Sequence, residues 1–129
     1  MRPLLRWAVP LIMLVAAGWV MFGQSTNQIA PDKAIELMKS QQNLIVLDVR
    51  TAGEYAGGHL VGAINIDVTK SDFEQRIARL DKKKPVLVYC AVGGRSASAT
   101  KTLVAKGFTV HDLVGGFSRW QREGRPSER

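Results

Sequence analysis

The chain has 129 residues, 46% hydrophobic and 22% charged, a globular composition with room for one domain and one core. A single cysteine excludes an intramolecular disulfide and any multi-cysteine metal site, and His59 and His111 show no ligand spacing, so neither metal nor cofactor is expected. The net charge of +7 favours anionic partners, but Lys82, Lys83 and Lys84 and the arginines 119, 122, 125 and 129 lack base-stacking aromatic interleaving, so a solvated basic surface is expected and no nucleic-acid partner.

Arg2 and Arg6 precede an uncharged stretch over 7–22, which is 16 residues long. That is short of the about 20 residues that span a bilayer and slightly beyond the about 7–15 of a signal-peptide core. Gly23 and Ser25 would permit cleavage before Thr26, whereas the run 19–22 extends the apolar stretch and favours an uncleaved anchor. Residues 1–25 are therefore expected to be a membrane anchor or signal peptide, and 26–129 a folded domain. The next charge after Arg6 is Asp32, so the positive-inside bias keeps the N-terminus cytoplasmic. The domain is then expected on the periplasmic side of the inner membrane.

Pro31 opens a helix that runs to about Ser40 with an apolar face of Ala34, Ile35, Leu37 and Met38. The runs 43–50 and 85–90 are rich in valine and isoleucine without alternation, and they read as strands buried on both faces of a parallel sheet. Thr51 with Glu54, and Ser71 with Glu74, fit the capping box that satisfies free N–H groups at a helix start. The second box predicts a helix to about Leu80. Weaker strands are expected at 62–66 and 109–114, and a helix from about Ser96 to Lys106 that stops at Gly107. Phe117 and Trp120 suggest a last short helix ending near Gly124. Strands alternating with helices give an α/β fold.

Cys90 closes the second apolar run, at the carboxyl end of an expected central strand, where open α/β sheets place their sites. Gly93 and Gly94 let the backbone of 91–95 turn its N–H groups inward into an anion nest, and the following helix adds its positive end. Arg95 supplies a full charge and forked donors, expected to face an anionic substrate. Each of these favours a thiolate. His59, after Gly58 in a turn, reads as structural and His111 as a surface residue. No histidine stands as an evident base, so the nest itself must hold the thiolate.

Four stretches, LDVRTAGEYAGGHLVGAINID, CAVGGRS, AKGF and LVGGFSRW, resemble the rhodanese family of thiosulfate sulfurtransferases in its single-domain form. The similarity extends over 29–124. It implies a five-stranded parallel sheet flanked by helices on both faces, and a catalytic cysteine that carries a persulfide. Carried onto this chain, Cys90 is the nucleophile, and Ala91, Val92, Gly93, Gly94, Arg95 and Ser96 form a substrate-binding cradle. Asp48, Arg50, Glu54 and His59 match signature positions of architectural role. The implied reaction moves the sulfane sulfur of thiosulfate, or a similar small anionic donor, to cyanide or a thiol. Phosphatases and arsenate reductases of similar fold place one residue more between cysteine and arginine than the four found here. The shorter ring suits a single sulfur better than a tetrahedral oxyanion. A persulfide carrier that hands sulfur or electrons to a protein partner is the further alternative.

Overall fold

The two valine-rich runs lie side by side at the centre of a parallel sheet, as their unbroken apolar character predicts. A computed structural model describes residues 27–129. The elements in chain order are β1 (Gln28–Ile29), α1 (Pro31–Ser40), β2 (Ile45–Asp48), α2 (Ala52–Ala56), β3 (His59–Leu60), β4 (Ile64–Asn65), α3 (Phe73–Ile77), β5 (Val86–Tyr89), α4 (Gly94–Ala105), β6 (Val110–Leu113), α5 (Gly116–Arg122) and β7 (Ser127–Glu128). The expected anchor or signal segment lies outside the described residues. Among the described residues no helix is long and apolar enough to cross a membrane.

Five strands pair in the order β1-β6-β5-β2-β4, every pair parallel. β2 and β5 are in register from Ile45 against Val86 to Asp48 against Tyr89. Their side chains alternate between two cores. Leu47, Val86 and Val88 meet Phe73 and Ile77 of α3 and Ala99 and Leu103 of α4 on one face. Val46, Leu87 and Tyr89 meet Ala34 of α1 and Phe117 and Trp120 of α5 on the other. Each large side chain so enclosed contributes about 1.5–3 kcal/mol relative to exposure. The helices therefore cover both faces, and the carboxyl ends of β2 and β5 emerge together.

Three local expectations are corrected. The helix expected from Ser71 to about Leu80 is limited to Phe73–Ile77, and its cap is Asp72, which makes no side-chain cap bond. The Ser71–Glu74 box is not used, because the helix starts only at Phe73 and the residue at its N-cap is Asp72, one position beyond Ser71. A turn bonded from Phe73 N to Lys70 O leads in, and Leu80 N bonding Ile77 O tightens the exit. α4 begins two residues earlier than expected, at Gly94. β1 and the antiparallel pair of β3 with β7 have no apolar run to announce them; they set Gln28 opposite Asp112 and His59 opposite Glu128.

Candidate active site

Cys90 follows the last residue of β5 and is 1% exposed. Its carbonyl accepts from Phe117 N at 2.8 Å, and the Ala91 carbonyl accepts from Ser118 N at 2.9 Å. The first turn of α5 thus clamps the backbone on which the sulfur is mounted. Gly116 makes the approach possible: a Cβ there would overlap the Cys90 carbonyl oxygen and lie 2.7 Å from the Ala91 carbonyl carbon and oxygen. Its φ of +54° also favours glycine. The glycine pair of the LVGGFSRW stretch was legible only as part of a motif; its contact with Cys90 was not.

Beyond Cys90 the chain turns over residues 91–93 and enters α4 directly. Gly93, at φ +142°, points its N–H at Cys90 Sγ, 3.0 Å away. Ser96, fully buried on the first turn of α4, places Oγ 3.5 Å from Sγ. In the thiol form that oxygen accepts from S–H while the hydroxyl donates to the Gly93 carbonyl at 3.1 Å. Burial alone would push the Cys90 thiol up. The Ser96 hydroxyl and the backbone N–H groups of Ser96, Val92 and Gly93 outweigh it, and the net shift is downward. Val92, in the turn, is 70% exposed and sets an apolar side chain at the surface of the loop.

Arg95 does not present a vacant fork, which corrects the expectation drawn from sequence. Its Nη1 donates to Glu54 Oε1 at 2.7 Å and its Nη2 to Oε2 at 3.0 Å, a bidentate pair across 41 residues of chain. Glu54 is also the far half of the expected capping box: its Oε1 accepts from Thr51 N and Oγ1, while Thr51 Oγ1 accepts from Glu54 N. The Arg95 bonds, opposed by partial burial and aided by Thr51, lower the Glu54 pKa to about 2. Glu54 belongs to the rim of the site as well as to its scaffold.

The other signature residues build the floor. Asp48 is fully buried and accepts from Arg50 Nη2 at 2.6 Å and from Tyr89 Oη at 2.7 Å. Arg50 also donates to the Gly58 carbonyl at 2.7 Å and lies 4.4 Å from the centre of the Phe117 ring. Burial first, and then the Asp48 charge, push the Tyr89 hydroxyl well above its ordinary range, so it remains a donor. This network ties β2 to the residue before Cys90 and to the helix that clamps it. Asn65, which sequence reading did not single out, bonds the carbonyls of Asp48 and Arg50. His59 is buried and stacked on Tyr55 at 3.8 Å, with Nδ1 2.9 Å from the Tyr55 carbonyl, which fits a structural role. His111 is half-buried in β6 rather than a surface residue, because its strand is covered by β1. Asp112 also escaped sequence reading. Its Oδ1 is buried without a hydrogen-bond partner among the described residues, beside a cavity of about 420 Å³ between β1 and α4. Residues 90–96 do not line that cavity.

The model of the rhodanese-like domain matches residues 30–123. Thiosulfate sulfurtransferase GlpE of Pseudomonas putida is 42% identical over 97 residues, which cover 74% of this chain and 84% of the relative. The protein of the same name from Coxiella burnetii is 37% identical over 96 residues, 74% and 87% of the two chains. Among solved structures, a rhodanese-related protein from Thermoplasma volcanium superposes with a TM-score of 0.71 at 31% identity, over 79% of this chain and 97% of its own.

Proposed function

The chain belongs to the rhodanese-like family, and from that premise we propose that it is a sulfurtransferase whose Cys90 carries the transferred sulfur as a persulfide. The observation that carries this reading is the Gly93 N–H aimed at Cys90 Sγ from 3.0 Å, with Ser96 beside it and no histidine base in the arrangement. The thiolate attacks the outer sulfur of thiosulfate. Sulfite departs with the electron pair of the broken S–S bond, leaving Cys90–S–S⁻. Cyanide or a thiolate then attacks the outer sulfur, and the Cys90 thiolate is released as the leaving group. The inward N–H groups that favour the thiolate stabilise the persulfide anion in the same cradle.

The same geometry argues against phosphoryl or arsenate chemistry. A tetrahedral oxyanion needs a wide ring of donors and a free guanidinium, and here Arg95 is tied to Glu54. Cys90→Ser, nearly isosteric, should keep the fold and lower thiosulfate:cyanide turnover by more than about a hundredfold. Residual turnover of a few per cent or more would remove Cys90 from the reaction. On the charge asymmetry around residues 7–22 we also place the domain on the periplasmic side of the inner membrane. Protease added to spheroplasts should digest it; protection until lysis would reverse that orientation.

A further inference from the structure

Glu54 reads from the sequence as architectural, and the helix cap accounts for half of what it does. The other half faces the reaction. Its carboxylate is held in place by Thr51 N–H at 3.3 Å and the Thr51 hydroxyl at 3.1 Å, and in that position it takes both arms of Arg95. The two side chains are 35% and 32% exposed, so the pair sits at the solvent-facing rim of the site. Within residues 91–96 Arg95 is the one charged side chain. It stands immediately before Ser96, whose hydroxyl lies 3.5 Å from Cys90 Sγ. An anion approaching the sulfur therefore meets a neutral pair in which the paired face of the guanidinium is already taken by a carboxylate. The carboxylate was ordered by the cap when the chain folded, so an incoming anion competes with a preorganised ligand. Val92, three residues before Arg95 in the same turn, is exposed.

Building on the sulfurtransferase reading, we propose that Glu54 is a positioning residue that sets donor specificity. By occupying both arms of Arg95 it withholds the cradle's cation from the dianionic donor thiosulfate, and so tilts the site towards sulfane sulfur carried as the persulfide of a neutral organic thiol, which bears at most one charge. With such a donor in its protonated form, R–S–SH, the Cys90 thiolate bonds to the terminal sulfur, and the S–S electron pair leaves on R–S⁻, which takes up the proton released from the transferred S–H. Cys90 is left as the persulfide, and no external oxidant or reductant is consumed. Thiosulfate enters the same step with sulfite as leaving group, but must share or displace the Glu54 carboxylate to reach the guanidinium.

The test compares thiosulfate with 2-hydroxyethyl persulfide as donors for the full chain. Glu54→Gln keeps a residue able to complete the capping box and removes the charge. It should raise the ratio of kcat/KM for thiosulfate to kcat/KM for the persulfide by about two- to fivefold at low salt, the scale of one exposed charge pair. The gain should lie mainly in KM for thiosulfate and shrink in high salt. Iodoacetamide alkylation of Cys90 should move to lower pH, because an uncompensated Arg95 favours the thiolate; a purely structural role would not shift it that way. In an Arg95→Met background the substitution should at most return the ratio to the wild-type value and not exceed it, since no cation remains to be released. Arg95→Met alone, which leaves Glu54 unpaired, should lower it, and this holds as a check even if Glu54→Gln fails to fold. An unchanged or lowered ratio in folded Glu54→Gln, or an unchanged ratio in Arg95→Met, would overturn the proposal. A wild-type protein that turns over neither donor would instead defeat the sulfurtransferase reading beneath it.

Discussion

Gly116→Ala should damage both the stability of the domain and its chemistry, through one contact. Gly116 has φ +54°, and an added Cβ would overlap the Cys90 carbonyl oxygen and lie 2.7 Å from two Ala91 backbone atoms. Holding a non-glycine residue in left-handed geometry costs about 1–2 kcal/mol. Relieving the overlap must lengthen the bonds from Phe117 N and Ser118 N to the Cys90 and Ala91 carbonyls, each worth about 0.5–1.5 kcal/mol. The sum is about 3 kcal/mol, which lowers Tm by roughly 12–24 °C in a domain of this size. Because the obstructing atoms are the backbone of Cys90 and Ala91, the relaxation displaces the cradle, and kcat/KM for sulfur transfer should fall by at least about tenfold. Thermal melting by circular dichroism and steady-state kinetics on the same samples check both. Gly53→Ala is the control: Gly53 is helical with nothing within 4 Å of an added Cβ, so it should be neutral or stabilising by up to about 1 kcal/mol. Gly116→Ala with wild-type Tm and wild-type kinetics would refute the clamp of α5 on Cys90.

Asp112→Asn should stabilise the protein at neutral pH by about 1 kcal/mol, because it removes a charge that burial disfavours while keeping the shape of the side chain. Burial raises the Asp112 pKa in the fold, so wild-type stability falls as pH rises from the ordinary carboxylate range through the raised value; urea unfolding against pH should lack that fall in the variant. Ser96→Ala should shift the alkylation profile of Cys90 to higher pH, since the hydroxyl is the strongest of the hydrogen bonds that lower it. An unshifted profile would leave the backbone N–H groups as the source of the depression.

The parts of this fold that were legible in the sequence are those governed by near neighbours. β2 and β5 were visible because strands buried on both faces need unbroken apolar runs, and Thr51 with Glu54 because a capping box closes within one turn. Cys90 and its turn were visible because a strand end, two glycines and a helix start follow one another along the chain. Arg95 was legible as a cation but not as half of an ion pair, since Glu54 lies 41 residues away and its local role already explained it. Ser71 and Glu74 satisfied the capping pattern and still did not cap, because the turn closed from Phe73 N to Lys70 O carries the chain past Ser71 before the helix begins at Phe73. Two-residue strands such as β1 have no periodicity to detect, and with β1 went the neighbourhoods of His111 and Asp112.

The intact mass of the protein after exposure to thiosulfate, and again after cyanide, decides whether Cys90 carries the transferred sulfur. A Cys90 persulfide adds the mass of one sulfur atom, located on the peptide that contains Cys90, removed by cyanide with thiocyanate released, and absent in Cys90→Ser. No added sulfur in the wild type, or sulfur that appears equally in Cys90→Ser, would contradict that role.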